Sequence, residues 1–121
     1  MSLPKLRDLP AILARTVQPT RGRMNLLEGR YAKRLEARLR AGEVAAFWYE
    51  AIKFRLADGS WYTPDFFVIL ASGHAEIHET KGFMRESANV RLKVTSELFW
   101  VFPVLLVTEK RGIFTIREVG R

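Results

Sequence analysis

Hydrophobic and polar positions change their period several times along the chain, and each change predicts an element. Residues 1–23 carry three prolines and no sustained period, which is typical of an arm rather than of a helix or strand. From Asn25 onwards, leucine and tyrosine recur every four residues until Gly42 follows as a stop signal. This pattern predicts an amphipathic helix over residues 25–41.

Strand patterns fill the middle of the chain. Residues 44–70 predict a strand, a turn at Asp58-Gly59 and a second strand, with Pro64 marking a strand start or bulge. The last part of this run, FFVIL, does not alternate, as is typical of a strand covered on both faces. After a turn at residues 71–74, the segment AEIHETK predicts a further strand.

The C-terminal third predicts a helix and then buried strands. Ser87 is the expected N-cap of the helix. The expected inner face of this helix consists of Val90, Val94, Glu97 or Leu98, and Val101. The runs VFPVLLVT and IFTIREV predict a buried strand and a short last element, strand or helix. This order predicts a single α/β domain with a central mixed β-sheet flanked by helices, whose last core strand joins by a helical crossover.

Composition excludes several classes of protein. A chain of 121 residues is one domain, and the lack of cysteine removes disulfides, thiolate metal sites and a cysteine nucleophile. The longest apolar run, residues 98–107, is ten residues long, against about 20 for a membrane helix. We therefore expect a soluble, cytoplasmic protein with no membrane partner.

The charge is strongly basic and unevenly distributed. The formal net charge is +7, which favours a polyanionic partner. Residues 1–40 hold three acidic residues against ten basic ones: Lys5, Arg7, Arg15, Arg21, Arg23, Arg30, Lys33, Arg34, Arg38 and Arg40. Part of this set lies on the polar face of the first predicted helix, which we interpret as a nucleic-acid surface. The expected contacts are Arg21, Arg23, Arg30, Lys33 and Arg34.

Three charged residues stand where two buried strands are predicted. In AEIHETK, the two-residue period of a strand places Glu79 and Lys81 on one face together with Ile77. Asp65 opens the preceding strand, and a hairpin turning at residues 72–73 pairs it with residues 79–81. The sequence therefore predicts that Asp65, Glu79 and Lys81 meet in space.

Two interpretations of this constellation remain open from spacing alone. Two neighbouring carboxylates repel each other unless a cation lies between them, and oxygen ligands suit Mg²⁺ or Mn²⁺. Lys81 beside such an ion would hold the attacking water or steady charge on phosphorus. The alternative is a buried salt-bridge cluster with no chemistry.

Two further residues are candidates for the same site. Glu28 lies next to the apolar stripe of the first helix and within reach of the Asp65 end of the sheet, although it also fits a capping box with Asn25. Lys93 borders the expected inner stripe of the second helix, where it either contacts phosphate or lies on the surface. His74 and His78 are predicted to be bystanders.

These motifs resemble those of the PD-(D/E)XK nuclease superfamily, in particular small phage and prophage endonucleases of the Holliday-junction-resolvase-like type. The resemblance covers about residues 24–108 and rests on TPDFFV…EIHETKG with a helix on either side. Pro64-Asp65 is similar to the PD, and Glu79-Thr80-Lys81 to the (D/E)XK. The basic arm, residues 1–23, has no counterpart; residues 24–121 would form the nuclease-like domain on a restriction-endonuclease-like core.

The resemblance implies an activity and a role for each site residue. It implies Mg²⁺-dependent hydrolysis of DNA phosphodiesters, with Mn²⁺ able to substitute, in a bacterial or phage-infected cell. Asp65, Glu79 and the Thr80 carbonyl would bind the metal, and Lys81 would orient the attacking water. Glu28 matches a first-helix glutamate that binds a second ion or a water, and Lys93 matches an extra helical lysine or glutamine.

Three functional alternatives follow. The first is a structure-selective or nicking endonuclease that acts as a homodimer on DNA, branched DNA included, because one site per protomer cuts one strand. The second is a nucleic-acid-binding or assembly protein on a nuclease fold that no longer cuts. The intact set of Asp65, Glu79 and Lys81 argues against this alternative. The third is a restriction or transposition-type nuclease, for which the sequence offers no dedicated recognition element.

Overall fold

Helix α1 (Leu26–Arg40) is the first element of the computed structural model, which describes residues 23–82 and 86–120. Its first turn is closed by a capping box: the Asn25 side chain accepts from the Glu28 amide at 2.8 Å, and the Glu28 carboxylate accepts from the Asn25 amide at 2.8 Å. Tyr31 and Leu35 on its apolar stripe are fully buried. The helix predicted over residues 25–41 is therefore confirmed.

Seven strands and a second helix follow. They are β1 (Val44–Tyr49), β2 (Phe54–Ala57), β3 (Ser60–Tyr62), β4 (Phe66–Leu70), β5 (Ala75–Thr80), α2 (Glu86–Leu98), β6 (Val104–Lys110) and β7 (Ile113–Glu118). Five strands form one sheet in the order β1-β4-β5-β6-β7. β5 and β6 are parallel and joined through α2, whereas the other neighbours are antiparallel. The described part of the chain is thus a single α/β domain with a mixed sheet and a helical crossover, as predicted.

The long first strand predicted within residues 44–70 is wrong. Glu50 has a φ of 48°, a left-handed conformation that ends β1 at Tyr49. β1 then pairs directly with β4, while β2 and β3 form a separate two-stranded sheet closed by the Asp58-Gly59 turn. The turn was predicted correctly, but the hairpin that it closes is a short flap beside the main sheet.

The predicted inner face of α2 is also wrong. Leu92 and Thr95 are its buried residues, whereas Val90, Leu98 and Val101 are exposed by 52%, 52% and 63%. The helix begins at Glu86, so Ser87 lies within it. The reason is a long-range contact: the segment just after α2 packs Phe99 against Phe54 of the β2–β3 flap, with ring centroids 4.6 Å apart. Leu92 packs in the same cluster, so the buried side of the helix is the one that faces the flap.

The core lies on both faces of the main sheet. On one face, α1 packs on Phe66 and Val68 of β4; on the other, α2 and the β2–β3 flap pack on Ile77 and the neighbouring part of β6. Phe67 belongs to this second cluster, so FFVIL is covered on both faces, as its lack of alternation predicted. Neither helix of the described residues combines the length and apolar character needed to cross a bilayer.

His78 lies in the core on the α1 face, opposite to the face that carries Ile77. Its ring is fully buried, with Nδ1 2.6 Å from the Tyr31 hydroxyl and Nε2 2.9 Å from a Glu76 carboxylate oxygen. A neutral ring protonated on Nε2 satisfies both contacts, because Tyr31 then donates to Nδ1 and Nε2 donates to Glu76. Burial raises the pKa of Tyr31 to about 12, so its hydroxyl remains a donor.

We expect Tyr31→Phe to destabilise the fold by about 1–3 kcal/mol, because it leaves a buried ring nitrogen without its donor. Urea denaturation of both proteins at neutral pH measures this difference. Phe47→Leu, a change of an apolar side chain at the edge of the same cluster, is the control for lost packing. A Tyr31→Phe protein as stable as the wild type would show that the hydrogen bond does not matter to folding.

Candidate functional site

The register of β4 and β5 brings the first two charged residues together. Phe66 of β4 lies opposite His78 of β5, so the next pair towards the sheet edge is Asp65 and Glu79. The backbone amide of Asp65 donates to Oε1 of Glu79 at 3.0 Å. This is the pairing predicted from the position of the turn at residues 72–73.

Glu79 is a buried carboxylate with three polar neighbours. Besides the Asp65 amide, the Tyr62 hydroxyl donates to Oε1 at 2.9 Å, and the Lys81 ammonium lies 3.3 Å from Oε2. Burial, and then the negative charge of Glu79, raise the pKa of Tyr62, which keeps its hydroxyl a donor. The predicted convergence of Asp65, Glu79 and Lys81 is therefore confirmed, and Tyr62 is a member of the group that the sequence did not reveal.

Asp65 is a neighbour of Glu79 and also a member of a second set of acids. Its Oδ2 accepts two hydrogen bonds from Thr80, from the amide at 2.8 Å and from the hydroxyl at 2.7 Å. Burial and then repulsion from Glu79 raise the pKa of Asp65 to about 7, although the Thr80 bonds oppose the rise. The Asp65 carboxyl is thus poised near neutral pH to hold a proton or to be stabilised by a cation.

The second set of acids consists of Glu28, Glu50 and Asp65. One carboxylate oxygen from each lies within 4.8 Å of the other two, so that the three could hold one cation. We call Glu28, Glu50 and Asp65 the acidic cluster. Glu50 is positioned by its amide, which donates to the Asp65 carbonyl at 2.9 Å. Sequence reasoning missed Glu50 because the predicted strand ran through it.

Glu28 forms the capping box and also lies beside the other acids, whereas its role as a ligand stays a prediction. Its Oε1 accepts from the Asn25 amide at 2.8 Å and from the Tyr49 hydroxyl at 3.0 Å, so the capping box is present. The same side chain belongs to the acidic cluster. Burial, followed by hydrogen bonds with Glu50 and Glu28, raises the pKa of Tyr49, so Tyr49 donates at every physiological pH.

The acidic cluster could hold a cation, because its three carboxylate oxygens lie within 4.8 Å of one another. Carboxylate oxygens without histidine or cysteine are the donor set that Mg²⁺ and Mn²⁺ prefer. The ligand set predicted from sequence shares Asp65 and Glu28 with this cluster; the ligand roles of Asp65, Glu28, Glu79 and the Thr80 carbonyl all stay predictions.

A cavity of about 400 Å³ opens beside these groups. It is lined by Lys53, Trp61, Tyr62, Thr63, Asp65, Glu79, Lys81, Ala88, Arg91 and Leu92. Lys53, Lys81 and Arg91 provide three cationic side chains against the two carboxylates of Asp65 and Glu79. The cavity therefore brings three cationic side chains close to Asp65, the one residue that it shares with the acidic cluster.

The sequence left two places open for Lys93, a contact with phosphate or the protein surface; the structure places its side chain on the surface, and a phosphate contact stays a prediction. Lys93 is exposed and is not among the lining residues, whereas Arg91 is. The cause is the rotation of α2: with Leu92 buried, the side chains at positions 88, 91 and 92 share the face that meets the cavity. The inner face predicted through Val90 would have placed a different side of the helix against the core.

Part of the positive charge on the basic face of α1 is neutralised by an ion pair. Arg30 donates to both carboxylate oxygens of Glu109 at 2.9 and 3.0 Å, and Arg34 lies 5.7 Å from the ring centroid of Phe114. Lys33 and Arg23 are exposed. Arg21 and the rest of the predicted arm up to Gly22 lie outside the described residues. The DNA contacts of this face stay predictions.

Comparisons with protein-family models, curated proteins and solved structures give no match to this chain.

Proposed function

We propose that this chain is a metal-dependent DNA endonuclease that hydrolyses phosphodiester bonds, structure-selective or nicking in its action, on a restriction-endonuclease-like core. The observation that carries the proposal is the convergence of Asp65, Glu79 and Lys81 on one cavity, with Glu28 and Glu50 behind Asp65. The resemblance to PD-(D/E)XK nucleases in TPDFFV…EIHETKG supports it.

The carboxylates would hold the metal. Asp65 with Glu28 and Glu50 provides the observed cluster, and Glu79 and Thr80 complete the set that the resemblance implies. A bound Mg²⁺ or Mn²⁺ would supply an acidified water and neutralise charge on the phosphate. The chain's own contribution is to keep these oxygens in place through the backbone amides of residues 50, 65 and 80.

Lys81 acts on the reacting atoms. Its ammonium, held 3.3 Å from Glu79, would orient the attacking water and stabilise the negative charge that develops on the phosphate oxygens. Water adds to phosphorus and the bond to the 3′ oxygen breaks, so that the products are a 5′-phosphate and a 3′-hydroxyl that has taken up a proton. Lys53 and Arg91 would bind the flanking phosphates.

A plasmid assay tests the proposal directly. Supercoiled DNA is incubated with purified protein in Mg²⁺, Mn²⁺, Ca²⁺ or EDTA. Nicking only with Mg²⁺ or Mn²⁺ is the expected result, because catalysis requires an ion that acidifies water and fits the cluster. Retardation of DNA without cleavage under all four conditions would replace the enzyme by the binding-protein alternative. Single-stranded, duplex, flap and four-way substrates then define the preferred DNA structure.

DNA binding should depend strongly on salt. The net charge of +7 and the basic first forty residues favour contacts to phosphates. If about five phosphates are contacted, the logarithm of the binding constant falls against the logarithm of the salt concentration with a slope of about −4 to −5. Fluorescence anisotropy of a labelled oligonucleotide in EDTA, across a potassium chloride series, measures the slope. A slope near zero would mean that the charge excess is not a nucleic-acid surface.

A homodimer is part of the proposal. One protomer carries one site and cuts one strand, so paired cuts on a symmetric junction require two protomers. Light scattering with and without a four-way DNA distinguishes a preformed dimer from one assembled on the substrate. A protein that stays monomeric in both conditions would be restricted to nicking.

A further inference from the structure

An indole ring forms one wall of the candidate active-site cavity. The two-residue period of β3 buries Tyr62 against Glu79 and leaves Trp61 exposed by 46%, and both residues line the cavity. The ammonium of Lys53 lies 5.0 Å from the centroid of the Trp61 ring. A large aromatic surface therefore stands in water next to a cation and across from the acids of the site.

Such a surface has a recognisable ligand chemistry. Nucleobases stack on aromatic side chains regardless of sequence, because every base has a π-face, and proteins that bind single strands combine this stacking with cations along the backbone. Here the cations available to the backbone are Lys53 and Arg91. The cavity, about 400 Å³, lies in the range of small-ligand sites, about 300–1,000 Å³, and so suits one or two nucleotides rather than a double helix.

We propose that Trp61 is a stacking platform for an unpaired base next to the scissile phosphate, so that the site takes single-stranded DNA in preference to continuous duplex. In a duplex both faces of a base are covered by its neighbours, and only an unstacked base offers a face to the indole. The inference rests on the proposed nuclease function for the position of the phosphate, but the stacking itself does not require cleavage.

The first test is binding without catalysis. In a Trp48→Phe, Trp100→Phe background, Trp61 is the remaining tryptophan, and its fluorescence is titrated in EDTA with a thymidine oligonucleotide or a fully paired linear duplex. We expect quenching by the single strand. In an anisotropy assay of the wild-type background, Trp61→Ala should weaken single-strand binding by about 5- to 150-fold, Trp61→Phe by much less, and duplex binding should change less than twofold.

Trp100→Ala is the matched control, because this tryptophan is exposed by 69% and does not line the cavity. Thermal melts of all variants establish that they are folded, and Trp61→Phe keeps the test valid if the alanine variant does not fold. Equal losses for single strand and duplex, or a Trp61→Ala effect no larger than that of Trp100→Ala, would mean that the indole only covers the stem of Lys53.

A cleavage assay separates this inference from the function on which it rests. With Mg²⁺, the wild type should cut single-stranded and flap substrates faster than duplex, and Trp61→Ala should lose this preference. If the wild type cuts DNA and the preference survives in Trp61→Ala, the stacking platform is wrong and the nuclease stands. If the wild type cuts nothing but Trp61 still governs single-strand binding, the platform stands and the nuclease is wrong.

Discussion

Lys81→Ala should lower the cleavage rate by about 10²–10³ while leaving the melting temperature and DNA affinity nearly unchanged, the usual cost of losing one preorganised electrostatic group. The structure explains why the fold survives. Glu79, the carboxylate that faces Lys81, keeps the Tyr62 hydroxyl at 2.9 Å and the Asp65 amide at 3.0 Å as donors. In the proposed mechanism the ammonium acts on charge that develops as water attacks, so its loss should affect the transition state more than the bound substrate.

Single-turnover cleavage and thermal melts on the same preparation measure this prediction. Lys110→Ala is the matched control, since it removes one positive charge at the β6–β7 turn, away from the cavity that Lys81 lines. If the pair of Lys81 and Glu79 is a structural salt bridge, the variant should instead lose about 3–5 kcal/mol of stability, with activity following the folded fraction. That result would remove Lys81 from the mechanism.

The meeting of Asp65 and Glu79 could be predicted because it depends on local information. The turn at residues 71–74 sets the register of β4 and β5, and the two-residue period then decides which side chains share a face. The capping box at Asn25 likewise uses contacts within one helical turn. Structural features that depend on residues close in sequence could be predicted from the sequence pattern alone.

The errors have a common physical cause in contacts between distant parts of the chain. α2 carries two stripes with apolar character, one through Val90 and one through Leu92, and packing against residues distant in sequence, Phe54 among them, buries the second. Once the rotation is known, Arg91 replaces Lys93 at the cavity.

Glu50 shows the same limitation on the main sheet. Nothing in its sequence neighbourhood separates it from a strand residue, and its place in the acidic cluster depends on its amide reaching the Asp65 carbonyl, 15 positions further on. Its φ of 48° is the local sign that the strand has ended. A glutamate at that position has a strand-like neighbourhood on both sides, so no periodic pattern marks the break.

Asp65→Asn should abolish metal-dependent cleavage and at the same time raise the melting temperature of the metal-free protein at pH 8. In the wild type at this pH, the ionised Asp65 carboxylate is buried near Glu79 and Glu28, which raises its pKa to about 7. An amide of the same shape removes the charge, its oxygen can still accept from the Thr80 amide and hydroxyl, and its NH₂ can donate to the neighbouring acids.

The gain should depend on pH in a defined direction. The folded pKa of Asp65, about 7, is higher than the ordinary value of 3.8, so the folded state binds this proton more tightly than the unfolded state. The contribution of the group to stability is therefore fully present below about pH 4 and is lost as the pH rises towards and through 7. In EDTA, the melting temperature of Asp65→Asn relative to that of the wild type should therefore increase from about pH 4 to pH 7 and above.

Added metal should reverse the order of the melting temperatures of the wild type and Asp65→Asn. A cation bound to Asp65, Glu28 and Glu50 stabilises the folded wild type by mass action, whereas Asp65→Asn has lost a charged ligand. At pH 8, millimolar Mg²⁺ or Mn²⁺ should therefore raise the melting temperature of the wild type and leave that of the variant nearly unchanged. Excess Mn²⁺ should restore only part of the variant's cleavage. Asp58→Asn, a change in the exposed β2–β3 turn, is the control for lost charge. If Asp65→Asn melts below the wild type in EDTA, or gains as much from the metal, Asp65 is a structural group rather than a ligand.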